Sequence, residues 1–271
     1  MIAVELAKLV RSRRTWVTIA VIDALPVLVA VLLASTDLGP RPGTGPAFLS
    51  AVLTDGTLYP LAAMAMILPL FLPTAVAVTA GDSIAGEAQQ GTLRYVLVRP
   101  VGRTRLLVAK LVATMAFALL TLLVVAATSY VLGALLLGGG TTGPTTTTFS
   151  GTSLSGHELA GRTGLALLYA LLSMLGVASV ALFLSTVVRS PLAATMGTMA
   201  LLIASSLLLT LDAADALRPY LVTRYWLSFV DLFRDPILWH DVLRGVLLQL
   251  GYVVVFLLAA WANFVTKDVT D

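Results

Sequence analysis

Residues 106–137 read LLVAKLVATMAFALLTLLVVAATSYVLGALLL. After Lys110 no charged side chain follows for the remaining 27 residues. At about 1.5 Å of rise per residue, a helix over this run outreaches the roughly 30 Å of hydrocarbon in a bilayer, so part of it should project. Backbone polar groups find no water in lipid, which leaves a helix as the stable form of so long an apolar run. A membrane barrel would show short alternating segments instead, and the sequence has none.

Five more runs of this kind flank the first. They cover Trp16–Ser35, Leu58–Ala80, Leu165–Val187, Leu192–Leu211 and Val246–Val265. Of the 271 residues, 58% are hydrophobic and 11% charged, less than half the charge of an ordinary soluble domain. The sequence therefore predicts an all-α membrane protein: one membrane-spanning domain, residues 1–271, with six transmembrane helices. The first run is followed by the Pro/Gly-rich STDLGPRPGTGP rather than a small-residue cleavage site, and is read as a retained span. Pro69 and Pro73 should kink the second span. With no cysteine, disulfides, thiolate metal sites and cysteine nucleophiles are excluded.

Charge sets the expected orientation. An even number of spans puts both termini on one side. That side carries eleven Lys and Arg residues, concentrated in short segments beside the spans, against six on the other. The positive-inside bias places both termini in the cytoplasm of a multi-pass cell-membrane protein. The opening residues 1–15, in MIAVELAKLVRSRRTW, form an amphipathic pattern with Ile2, Leu6, Leu9 and Val10 on one face. Such a segment suits the inner membrane surface, with its basic side toward anionic headgroups. Outside, residues 138–163 open with GGGTTGPTTTTFSGTSLSG and read as a flexible polar loop. Residues 212–245 contain YLVTRYWLSFVDLFRDPILWHDVL, too charged to span yet rich in aromatics. They predict an extracellular interfacial or re-entrant region before the last helix, with rings at headgroup depth. Pro236 would divide it, and Asp235 could cap a helix starting there.

The cytoplasmic stretch 81–105 has an internal order. In GEAQQGTLRYVLVRPVGRTRLLVAK, Gly86 to Lys110, the second helix should run on past Ala80 until Gly91 breaks it. Thr92 can cap a short helix that Pro100 and Gly102 end, and the third span should start near Arg103. Leu93, Val96 and Leu97 make an apolar ridge framed by Arg94, Arg99, Arg103 and Arg105. Glu87 could accept from N–H groups at the start of the short helix, or pair with Arg94. A charged-edged apolar ridge on a connector suggests a protein docking site.

This stretch resembles the signature loop of ABC-2 type transporter permeases. Glu87, Gly91, Thr92, Leu93, Arg99, Pro100, Val101, Arg103 and Lys110 match the family's pattern, and Gly102 stands where Ser is commoner. The layout also agrees: a basic amphipathic N-terminus, six spans, and VTKDVT after the last. The resemblance implies the membrane half of an ATP-binding cassette exporter. Its coupling helix, about Leu93–Val98, would sit in a groove of a separate ATPase subunit. Two permease chains, identical or related, would pair with two ATPase chains, which would use ATP and Mg. The cargo would be hydrophobic or amphipathic.

The chain carries no GxxxxGK[ST] phosphate loop, so no cofactor and no enzymatic activity are expected of it. His157-Glu158 lies in HELAGR, which is not HExxH, and His240 is isolated, so no metal site is expected. Nothing points to nucleic acid. Asp23 is the one ionisable residue well inside a span, and an intramembrane carboxylate is a functional candidate. It is also close enough to Trp16 to be hydrated or paired. Two other readings are an ion-coupled secondary transporter, for which Asp23 alone is thin support, and a membrane-embedded enzyme, which lacks a clustered catalytic set.

Overall fold

A computed structural model describes residues 2–35, 56–89, 102–137, 145–147 and 153–266. Helix α1 (Ile2–Arg11) is separated from α2 (Arg13–Ser35) by Ser12 alone. Helices α3 (Tyr59–Ile67) and α4 (Phe71–Gln89) meet at a short break where the chain bends by 55°. The break contains Pro69, and Pro73 follows in the first turn of α4. Neither proline can donate to the helical ladder, and each ring crowds the carbonyl four residues back. The remaining helices are α5 (Arg103–Leu136), α6 (Gly156–Val187), α7 (Pro191–Leu208) and α8 (Trp239–Thr266). Among the described residues five helices are long and apolar enough to cross a membrane by themselves, six spans if the bent pair is counted as one. The chain is a helical multi-pass membrane protein.

Helix α6 is the axis of the bundle and packs against α4, α5, α7 and α8. Of its most apolar stretch 61% is buried, against 22% for α2, α7 and α8. Apolar burial gives little drive between helices already in lipid, so close approach of small residues has to hold them together. That approach is visible at two glycines. A methyl on Gly176 of α6 would fall on the Gln249 amide oxygen of α8. One on Gly245 of α8 would fall on the Tyr169 hydroxyl and lie 2.9 Å from Tyr225 Cβ. The interior core gathers around Tyr59, Met64, Ile67 and Leu72 of the bent pair with Phe117 and Leu122 of α5. Val21, Leu28, Leu247 and Leu258 remain exposed on the outer faces of α2 and α8, as lipid-facing residues must.

Two expectations need correction at the end of the bundle away from α1. The fourth span does not begin at Leu165 after a loop reaching residue 163. Helix α6 starts at Gly156, behind a short antiparallel ribbon of β1 (Thr145–Thr147) and β2 (Ser153–Ser155), with Thr145 opposite Ser155. The cause is a reciprocal cap: the Glu158 N–H donates to Ser155 Oγ, and the Ser155 N–H donates to Glu158 Oε2 at 2.9 Å. Residues 212–245 do not hold separate interfacial α-helices either. They form 3-10 turns at Asp212–Ala214, Arg218–Tyr220 and Ser228–Phe233, and α8 begins at Trp239, beyond Asp235 and its cis bond to Pro236. Asp235 is therefore not next to the helix it was expected to cap. Tyr225, Trp226, Phe229 and Phe233 are buried in the bundle rather than turned out to headgroup depth. Arg162 of α6 holds the last turn by donating to the carbonyls of Leu232 at 3.1 Å and Arg234 at 2.9 Å. Burial pushes the nearby Asp231 carboxyl up from its ordinary value, with Arg234 opposing.

Candidate functional site

Gly91, Thr92, Leu93, Arg94, Val96, Leu97, Arg99 and Pro100 lie outside the described residues, and so does any pairing of Glu87 with Arg94. The two anchors of that segment are described. Helix α4 continues past Ala80 to Gln89, and α5 resumes at Arg103, as the sequence predicts.

On the entry side, Glu87 turns its carboxylate to Lys110 of α5, and the Lys110 ammonium meets Glu87 Oε1. The same ammonium lies 3.3 Å from Glu5 Oε2 of α1, and Glu5 Oε1 lies 3.3 Å from Lys8 Nζ. Lys110 is 5% exposed, so a lone ammonium there would carry a desolvation cost of several kcal/mol. Two carboxylates compensate it. This partner of Glu87 was not anticipated, although a lone lysine leading into 27 uncharged residues signals a need for one. Glu5 carried no signal at all, because its role depends on how α1 lies against α5.

A second tie lies one turn before Glu87. The Ser185 hydroxyl of α6 accepts from the N–H groups of Ile84 at 3.2 Å and Ala85 at 2.9 Å, and donates to the Gly81 carbonyl at 2.7 Å. Gly81 lies close to α7 on its other side, where a methyl would meet Thr195 Oγ1 at 2.8 Å.

On the exit side, Arg103 does more than edge an apolar ridge. Its Nη1 donates to the carbonyls of Phe264 at 3.3 Å and Val265 at 2.7 Å, in the last turn of α8. A helix end leaves such carbonyls without helical partners and carries partial negative charge, so a guanidinium suits it on both counts. Trp261 of α8 donates to Thr104 Oγ1 at 3.1 Å, and Asn263 donates to Thr186 Oγ1 of α6 at 3.0 Å. The segment that begins after Gln89 thus leaves from a helix tied to α1, α5 and α6. It returns to one tied to α8.

Asp23 is apart from this group. Its carboxylate accepts from the Thr128 hydroxyl of α5 at 2.7 Å, so it is paired rather than open. Close by, the Tyr59 hydroxyl donates to the Pro26 carbonyl. Among the described residues, no three His, Asp or Glu side chains gather as a metal site.

No curated protein matches this chain. Residues 1–206 match the sequence profile of a family described as ABC-2 family transporter protein. That match takes in α1 to α6 and most of α7, with Glu87, the whole 90–101 segment, Arg103 and Lys110. The chain belongs to the ABC-2 family of transporter proteins.

Proposed function

We propose that this chain is the membrane-spanning subunit of an ATP-driven exporter, with residues 90–101 as the cytoplasmic coupling element gripped by a separate ATPase. The supporting observation is the anchoring of that segment on both sides: Glu87 on Lys110 and Glu5, and Arg103 on the end of α8. A push on Leu93, Val96 and Leu97 would pass through Glu87 into α1 and α5, and through Arg103 into α8. Because α4 and α5 are long and packed on α6, that push becomes rigid-body movement of the bundle. Helix α1 would lie along the inner surface with both termini in the cytoplasm, and the 212–238 turns would cap the external end. Two permease chains would work with two ATPase chains, which bind ATP and Mg. The cargo is hydrophobic or amphipathic, given the few polar side chains along the spans.

The test is co-expression with the ATPase of the same operon and pull-down on a tag. Leu93→Asp with Val96→Asp should lose the ATPase while the chain still inserts in the membrane. Undiminished ATPase recovery would remove the proposal. A single cysteine at position 90, in a chain with no native cysteine, should be labelled only from the cytoplasmic side.

A further inference from the structure

Between α1, the start of α2, α4 and α5 lies a cleft of about 560 Å³. The Glu5, Lys110 and Glu87 group lines one part of it. Two further charges line it without being used by the fold. Arg14 of α2 and Asp82 of α4 are both exposed, and neither has an ion-pair or hydrogen-bond partner among the described residues. The Asp82 carboxylate lies over the bare glycine at position 86, where a methyl would fall on it, beside the turn that carries Glu87.

The rest of the lining mixes the hydroxyls of Ser12, Thr15, Thr18, Thr79, Ser83 and Thr114 with apolar side chains. Phe117 is buried, while Val17 and Val78 are 62% and 49% exposed, on helices whose outer faces meet lipid. The cleft therefore joins a charged interior to the hydrocarbon surface. Its ionisable lining holds three cations, Lys8, Arg14 and Lys110, and three carboxylates, Glu5, Asp82 and Glu87. A neutral balance of fixed charges favours a ligand that is itself neutral overall but carries both signs.

We propose that this cleft binds one zwitterionic phospholipid whose headgroup ends in a primary amine. Its phosphate sits on Arg14 with Lys8 beside it, its ammonium donates to Asp82, and its chains leave past Val17 and Val78. A trimethylammonium headgroup has the same charges but no N–H to donate, so it loses the hydrogen bond to Asp82. A glycerol headgroup brings a net negative charge and no cation for Asp82. The inference rests on the chain spanning a membrane and is independent of the ATPase, so its failure leaves the docking proposal untouched.

The full chain, purified in detergent, is titrated with phosphatidylethanolamine, phosphatidylcholine and phosphatidylglycerol of identical acyl chains, and bound lipid is counted by native mass spectrometry. Phosphatidylethanolamine should be retained about tenfold more tightly than the other two, the scale of one hydrogen bond to a charged group. Asp82→Ala, which removes the acceptor, should bring it down to the level of phosphatidylcholine. Gly86→Ala, which displaces the carboxylate while keeping its charge, should do the same, with both variants melting near the parent temperature. Equal retention of the three lipids by the parent chain, or a preference that survives Asp82→Ala, would overturn the assignment.

Discussion

Ser185 of α6 bridges one step of α4, donating to the Gly81 carbonyl at 2.7 Å while accepting from the N–H of Ala85 at 2.9 Å. Two backbone groups four residues apart on one helix are thus both held by a hydroxyl from another helix. The bridge lies just before Glu87, near the end of α4. Ser185→Ala removes the hydroxyl but leaves these backbone groups inside a continuous helix. The expected loss is therefore small, near the average of about 0.6 kcal/mol for polar contacts between membrane helices. Ser185→Leu has no room against Gly81 and should lower the melting temperature far more. Thermal unfolding in detergent distinguishes the two.

Lys110→Met leaves Glu5 and Glu87 facing each other without their shared cation. Breaking a buried ion pair from one side costs about 3–5 kcal/mol. Both glutamate side chains keep some exposure, 17% and 19%, which places the expected loss at the low end of that range. Adding Glu87→Gln to Lys110→Met should recover part of it, because one stranded carboxylate disappears. Chemical denaturation of the two variants, with co-purification of the ATPase, measures both consequences.

Arg103→Ala releases the Phe264 and Val265 carbonyls at the end of α8. Global stability should fall by only about 1 kcal/mol, the usual value of a cap. The local effect should be clear: amide hydrogens of residues 262–266 should exchange faster, while those in the middle of α8 keep their protection. Hydrogen-exchange mass spectrometry reads both regions at once.

Gly245→Ala and Gly176→Ala test the contacts that set the α6–α8 distance. At Gly245 the added methyl meets the Tyr169 hydroxyl, which is fixed by its bond to the Tyr225 carbonyl at 2.6 Å. At Gly176 it meets Gln249, which is fixed by its bond to the Val222 carbonyl at 2.8 Å. Neither neighbour can move without giving up a buried hydrogen bond. Each variant should lose about 1–3 kcal/mol, as overpacked cores do. Gly251→Ala, on the same helix with open space around it, should be neutral or slightly stabilising. Melting temperatures of the three variants provide the comparison.

Asp23→Asn keeps an oxygen that accepts from Thr128, so insertion and folding should be retained. For an ATP-driven permease, transport by this variant should also be retained. Transport assays in vesicles decide the point, since loss of transport with ATPase assembly intact would favour ion coupling through Asp23.

The sequence by itself determined the long apolar helices, the proline break at residues 68–70, the run of α4 past Ala80 and the start of α5 at Arg103. These are one-dimensional properties. Apolar length is measured against a bilayer of known thickness, and a proline acts on its own turn. The ABC-2 assignment was legible for the same reason, since Glu87 to Lys110 is a contiguous pattern. The early start of α6 was also written locally, in Ser155 and Glu158, behind a run of threonines that reads as loop.

Only the tertiary structure decided what those elements touch. Lys110 finds Glu5 across 105 residues, Ser185 finds Gly81 across 104, and Arg103 finds Phe264 across 161. The aromatic residues between 225 and 233 turn inward because α6 and α8 leave a site for them, which their composition does not reveal. A soluble helix shows its packing face as an apolar stripe, whereas a helix apolar all round does not. Its rotation is fixed by small residues and a few polar side chains on its neighbours, and that information exists only once the helices are assembled.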